Sequence, residues 1–352
     1  MKWLKRHLLE WLLNKRRKSA FDPARVKKIL ILRNDKIGDM IVSTPLLREL
    51  KAAWPDVVIH VAASSVNHDI IRDCPHVDRT VLWDHGSLLY NLKVIAGLRR
   101  QRYDLILSMS LRFSPSYQFY LKLLGGRHLH GPRIAKYGTT TGNLGMYDHT
   151  VDYPADRHIL QTYFDALGAY KPENIDYRYE LYNVDAYAGK ALAFVAGLED
   201  SYAGLVCFNY QGSCANRTLG KEDAAALCRQ LADRYPDYAI VVIHPPGDRE
   251  RAAAVVAGSD RANVMLSFAT AHVLELAALV RECDLVVSPD TAVIHIASVY
   301  NKKVLGFYVN SGNHRWFYPM CDHFRIMLSP TDSINDIDSQ ATISAIDELM
   351  AT

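Results

Sequence analysis

The sequence predicts an α/β protein built from two parallel-sheet units, and three observations predict it. Short apolar, β-rich runs alternate with helical patterns almost throughout, the βαβα rhythm of a parallel sheet covered on both faces. That rhythm breaks once, in "GAYKPENIDYRYE" (168–180), and then restarts. The length of 352 residues suits two domains. The expected division is a basic segment at 1–20, a first domain at 21–172 and a second at 173–352, the last helix being a candidate to pack back on the first domain.

The elements follow in order. "ILIL" (29–32) precedes a helix reaching about Ala53, "VVIHVAA" (57–63) follows Pro55, and "TVLW" (80–83) leads to a helix from Ser87 to about Gln101. "DLILSMS" (104–110) and a helical run to Leu124 come next. Residues 125–152, rich in Gly, Thr, Arg and His with no sustained period, read as a long loop with at most a short strand. A helix is expected near Asp156–Leu167. After the break, strands are expected at 202–210, 238–244, 262–267, 284–288 and 303–308, with helices at 221–235, 248–257, 272–282 and 291–299. Open parallel sheets bind ligands beyond the carboxyl ends of their strands. Two such sheets facing one another would form a cleft suited to joining two substrates.

Composition narrows the function. The chain is 49% hydrophobic and 22% charged, as a protein with a large core should be. Six scattered cysteines form no CxxC pair, so reduced thiols are expected and zinc has no supporting spacing. Residues 2–18, "KWLKRHLLEWLLNKRRK", carry seven basic side chains against Glu10, a net +6 in a chain of net +3. Leu4, Leu8, Trp11 and Leu12 recur at helical spacing there. The segment is too short and charged to span a bilayer, and no cleavage site follows it. A basic amphipathic helix on an anionic membrane surface is the favoured reading, against packing on protein. Nucleic acid is not an expected partner, because no basic face continues into the body.

Four stretches can carry chemistry. In "ILRNDKIGDMIVSTP", Gly38 permits close backbone approach and Asp39 stands near a helix start, as a cap or a base. That helix begins at Gly38 or at Thr44, depending on the role of Pro45. A single glycine does not make a dinucleotide fingerprint. In "LVVSPDTAVIHIASVYNKKVLGFY", a strand runs into a helix whose first amides, near Thr291 and Ala292, suit a diphosphate. Asp290 would accept from sugar hydroxyls or cap that helix, and His295 shares a face with Thr291. In "FNYQGSCANRTLGKED", Gly212 and Ser213 suit a phosphate-facing turn and Arg217 supplies a fixed charge. In "VIHPPGDRERA", Asp248 opens a helix and could bind a ribose diol.

Taken together, "ILILRNDKIGDMIVSTPLLRELKAAWPD" and "LSFATAHVLELAALVRECDLVVSPDTAVIHIASVYNKKVLGFY" resemble glycosyltransferase family nine, the ADP-heptose:lipopolysaccharide heptosyltransferases. The resemblance runs over nearly the whole chain after about Lys27. It implies two facing Rossmann-like domains, the B-type glycosyltransferase fold, and an inverting reaction with no metal and no cofactor. It implies that Asp39 is the catalytic general base. Asp290, Thr291, Ala292 and His295 match the family's Asp-Thr-Gly-x-x-His, with alanine for glycine. Arg217 replaces the phosphate-binding lysine, Leu219 stands where tryptophan is usual, and Asp248 falls on the ribose-binding acid. Gly38, Gly212 and Ser213 complete the expected donor contacts. Arg112, Arg133 and Lys136 are candidate acceptor contacts. The resemblance implies transfer of heptose from ADP-heptose to a lipid-linked lipopolysaccharide core saccharide, by a cytoplasmic protein peripheral on the inner face of the inner membrane. Alternatives are another nucleotide-sugar donor, a sugar-nucleotide epimerase, or a non-catalytic nucleotide-sugar-binding protein.

Overall fold

β-Branched and aliphatic runs bounded by turns form the strands, and the strands form two sheets. The computed structural model describes residues 20–84, 86–110, 114–136, 139–141, 144–152, 157–198 and 201–352, with the backbone alone at 135, 136, 139, 140 and 313. The amphipathic segment proposed for 1–20 lies outside the described residues except for Ala20. The chain divides into two units after Tyr177.

In the first unit, β1 (Lys28–Arg33), β2 (Val58–Ala63), β3 (Arg79–Leu82), β4 (Leu105–Ser108), β5 (His128–Pro132) and β8 (His149–Val151) lie in the order β3-β2-β1-β4-β5-β8. Every pair is parallel. β6 (Ala135–Lys136) and β7 (Thr139–Thr140) make a small antiparallel pair. Residues 125–152, read from sequence as a loop, therefore supply two sheet strands. Their polar residues hid them: His128 and His130 are buried, with the Phe21 ring edge-on at 5.0 and 4.8 Å. The helix expected at 156–167 is shorter, Ile159–Asp165.

The second unit repeats the plan. β9 (Gly204–Phe208), β10 (Tyr238–Val242), β11 (Val264–Leu266), β12 (Leu285–Pro289), β13 (Lys303–Tyr308) and β14 (Phe324–Leu328) take the order β11-β10-β9-β12-β13-β14, again all parallel. β14 and the helix Gly189–Ala196 were not anticipated. The last helix, Ser339–Met350, places Ile343, Ile346 and Leu349 in the core of its own unit, beside Leu305 and Leu231. Both sheets thus have the doubly wound order, with the reversal between β1 and β4 in one and between β9 and β12 in the other.

The opening helix settles the question raised by Pro45. It is one helix, Ile37–Ala53, with Pro45 inside it. Proline cannot donate to the carbonyl four residues back. Here the Thr44 hydroxyl donates to that carbonyl, Ile41 O, at 2.8 Å. Gly38 is the second helical residue and is buried, so it belongs to the helix rather than to a turn.

Candidate active site

Arg33 closes β1 and is fully buried, although arginine at a strand end ordinarily reaches solvent. All five of its N–H groups have partners. Nε donates to Asp39 O at 2.9 Å; Nη1 to Asp35 Oδ2 at 3.2 Å and Met109 O at 2.9 Å; Nη2 to Asp39 Oδ1 at 3.3 Å and to the Tyr163 hydroxyl. Burial by itself opposes this charge, but Tyr163, Asp39 and Asp35 more than offset it, and the guanidinium pKa is raised. The clamp also spans the reversal point of the first sheet, since Met109 follows β4.

The two acids of the turn are held differently. Asp35 gives one oxygen to Arg33 and accepts from Ser110 Oγ on the other at 3.3 Å, and its side chain is 10% exposed. Asp39 sits in the first helical turn, where its Oδ2 accepts from the Lys36 amide at 3.3 Å, and its side chain is 22% exposed. Asp39 is thus the more accessible carboxylate, fixed through both its side chain and its own carbonyl.

In the second unit the expected donor residues gather where β9 and β12 end. Asn209, just past β9, donates to Ser288 Oγ at 2.9 Å and Thr291 Oγ1 at 3.2 Å, tying the two strand ends together. Thr291 is the cap of the helix Ala292–Val299, accepting from the Val293 amide at 3.3 Å. Asp290 is therefore not the cap; it accepts from Arg217 Nη1 at 2.9 Å. Arg217 Nη2 also donates to Ser311 Oγ, at 3.3 Å, past β13. The Arg217 charge is in this way aimed from the β9 loop to the start of the β12 helix.

The loop that carries Arg217 is closely folded. The Gly212 amide donates to Thr218 Oγ1 at 3.0 Å, and a Cβ at Gly212 would lie 1.9 Å from the Arg217 carbonyl oxygen. Only glycine fits. Ser213 is exposed at the tip. Leu219, where the family usually has tryptophan, is 5% exposed and packs into the core of the unit. Ala292 opens its helix, and His295 is buried on it, with the rings of Tyr179 and Phe317 at 6.0 and 6.2 Å. Asp248 follows β10 and precedes the helix Arg249–Ser259 without capping it through its side chain.

Of the remaining candidates, Gly38 belongs to the first unit beside Asp39 and not to the β9–β12 cluster. Arg112 and the side chain of Lys136 lie outside the described residues. Arg133 is exposed and faces Asp152 at 3.4 Å. Arg33, Tyr163 and Asn209 were missed by sequence reasoning. The one available signal was an arginine ending a wholly apolar run.

Two doubly wound units of this kind define a B-type glycosyltransferase architecture. The chain belongs to glycosyltransferase family 9 (heptosyltransferase), whose model matches residues 91–344. That span holds the whole β9–β12 cluster and begins after the Asp39 turn. Solved structures resemble the chain more broadly. The glycosyl transferase family 9 protein of Veillonella parvula DSM 2008 has a TM-score of 0.75 at 16% identity, covering 92% of this chain and 97% of that one. The ADP-heptose lps heptosyltransferase II of E. coli gives 0.69 at 19% identity, covering 92% and 98%. The E. coli heptosyltransferase WaaC with ADP gives 0.66 at 17%, covering 92% and 98%.

Proposed function

We propose that this chain moves heptose from ADP-heptose to a lipid-linked saccharide of the lipopolysaccharide core, with inversion at the anomeric carbon. The observation that carries the reading is the β9–β12 cluster. A cation, a glycine-only turn and a capped helix start converge where one doubly wound sheet reverses, which is where such sheets bind nucleotides. Similarity to a heptosyltransferase bound to ADP favours adenine as the base.

In this reading the helix start at Thr291 and Ala292, Arg217 and Ser213 hold the diphosphate. Charge grows there as the glycosidic bond breaks, so donors fixed in advance stabilise the transition state more than the ground state. The Arg217–Asp290 pair keeps the guanidinium in position; an incoming diphosphate adds anionic oxygens for Nη1 and Nη2. Asp248 accepts from the ribose hydroxyls. Asp39 takes the acceptor hydroxyl's proton as that oxygen attacks the anomeric carbon from the face opposite the diphosphate. No step in this account calls for a metal ion.

Arg133, Arg112 and Lys136 are the basic residues proposed to meet the acceptor, their charge being suited to an anionic saccharide. The basic start of the chain favours a location at the inner face of the inner membrane, and no helix among the described residues is long and apolar enough to cross a membrane.

The test is product analysis. Purified protein with ADP-heptose and a core acceptor should release ADP and form a glycoside of inverted anomeric configuration by NMR. Transfer only from a UDP-sugar would overturn the heptose reading while keeping the family.

A further inference from the structure

Eight large apolar side chains are exposed among the described residues, and six of them fall on one region of the first unit: Val66, Leu82, Leu88, Leu89, Leu92 and Phe119. Scattered singly they would need no explanation, but a contiguous group does. The six stand on neighbouring elements of the fold. Val66 follows β2 and Leu82 ends β3, neighbours in the sheet through the Ala63–Leu82 pairing. Leu88 and Leu89 open the helix that follows β3, and are 60% and 81% exposed. Tyr90 on that helix donates to Leu82 O at 3.3 Å. The helix packs on Pro115–Leu124, which carries Phe119, and Arg99 Nη1 donates to Leu123 O at 2.7 Å.

Charge identifies the partner. These two helices and their caps carry Lys93, Arg99, Arg100 and Lys122, all exposed, and no Asp or Glu. At 100° per residue, Leu88, Leu89, Leu92 and Ala96 share the outer face of the first helix with Lys93, Arg99 and Arg100. Along the two helices the apolar strip is bordered by cations alone, while Asp84 stands at its Val66–Leu82 end, accepting from Ser65. The helical part matches an anionic lipid surface, where leucines enter the acyl boundary and the ammonium and guanidinium groups meet headgroups. The apolar end lies at the carboxyl edge of the sheet, the edge that also carries Asp39 after β1.

We infer that the Leu88–Arg100 helix, with Phe119 and Lys122 beside it, docks on the anionic bilayer, bringing the Asp39 edge to the membrane. A lipid-linked acceptor would then meet the base without leaving the bilayer.

The experiment uses the full chain, with residues 1–20 intact, and phosphatidylcholine vesicles with and without phosphatidylglycerol. One variant combines Leu88→Ser, Leu89→Ser and Leu92→Ser; a second combines Lys93→Glu and Lys122→Glu. These positions are exposed, so both variants should keep the melting temperature and ADP affinity of the parent. Each should lower partition onto anionic vesicles by about tenfold or more, and the parent should bind neutral vesicles weakly. Unchanged partition in both variants would assign membrane binding elsewhere and overturn the inference. So would a parent dimer that the leucine variant dissociates while vesicle binding stays the same. Because the readout is binding, the outcome does not depend on which sugar is transferred.

Discussion

Arg33 holds Asp39 at two points, its Nη2 at 3.3 Å from the carboxylate Oδ1 and its Nε at 2.9 Å from the residue's own carbonyl oxygen. Side chain and helix start are thereby fixed by one buried cation. A further strand end and the helix Ile159–Asp165 are drawn in through Met109 and Tyr163.

Arg33→Lys should expose how much of this depends on the guanidinium fork. Lysine keeps the charge but offers three donors for five acceptors. Stability should fall by about 2–4 kcal/mol in urea unfolding. Turnover should fall by roughly 10–100-fold through misplacement of Asp39. ADP affinity, which the proposal assigns to the second unit, should not change. A variant that is fully active and fully stable would show the clamp to be incidental.

Gly212→Ala tests the phosphate loop. The new Cβ would meet backbone, the Arg217 carbonyl, at 1.9 Å, so the loop has to move. ADP affinity should drop by about tenfold in calorimetry, with an overall loss of about 1–3 kcal/mol in stability from the overpacking. Unaltered ADP binding would place the diphosphate away from this loop.

Arg217→Ala removes the cation that pairs with Asp290 and leaves that carboxylate unbalanced in the proposed diphosphate site. Nucleoside diphosphate binding should weaken by on the order of 2 kcal/mol, the scale of a charge-assisted hydrogen bond. Arg217→Lys should restore much of it. Tighter binding of UDP than ADP would contradict the donor assignment.

His130 gives the first unit a pH dependence of known sign. Burial, helped by His149, depresses its pKa from 6.5 to about 4, against the opposing carbonyl of Ala166. The folded state therefore favours neutral imidazole, while the unfolded chain takes up the proton first. The stabilisation is present above pH 6.5 and is lost as pH falls from 6.5 toward 4, by up to about 3 kcal/mol. The stability difference between the parent and His130→Asn should shrink over that window. A difference independent of pH would mean that His130 is not held neutral by the fold.

Much of the fold was legible because its inner strands are apolar runs with turns at both ends. β9, β10, β12 and β13 were found within about two residues for that reason. β5 and β8 were not: two of the buried residues of β5 are histidines, made interior by Phe21 and the neighbouring rings, and β8 is three residues long and only half-buried, so neither leaves an apolar run. β14 was missed although four of its five residues are apolar: it is a short edge strand, broken by Arg325 and only partly buried. The proposed site residues Asp39, Arg217 and Thr291 stand in local motifs and were singled out from those motifs together with the family resemblance. Arg33 was not, because its burial depends on Tyr163, 130 residues away. Asn209 likewise acts across 82 residues, on Thr291.

The most direct test of the central claim compares Asp39→Asn with Asp35→Asn in heptose transfer from ADP-heptose, alongside ADP binding. Asp39→Asn should fold, bind ADP as the parent does, and lose turnover by ~10²–10⁴-fold, the range for a missing general base. Asp35→Asn, which keeps its carbonyl oxygen for Arg33 and can turn its amide N–H toward the Ser110 hydroxyl, should lose far less. Equal losses in the two variants, or an active Asp39→Asn protein, would contradict the assignment of Asp39 as the base.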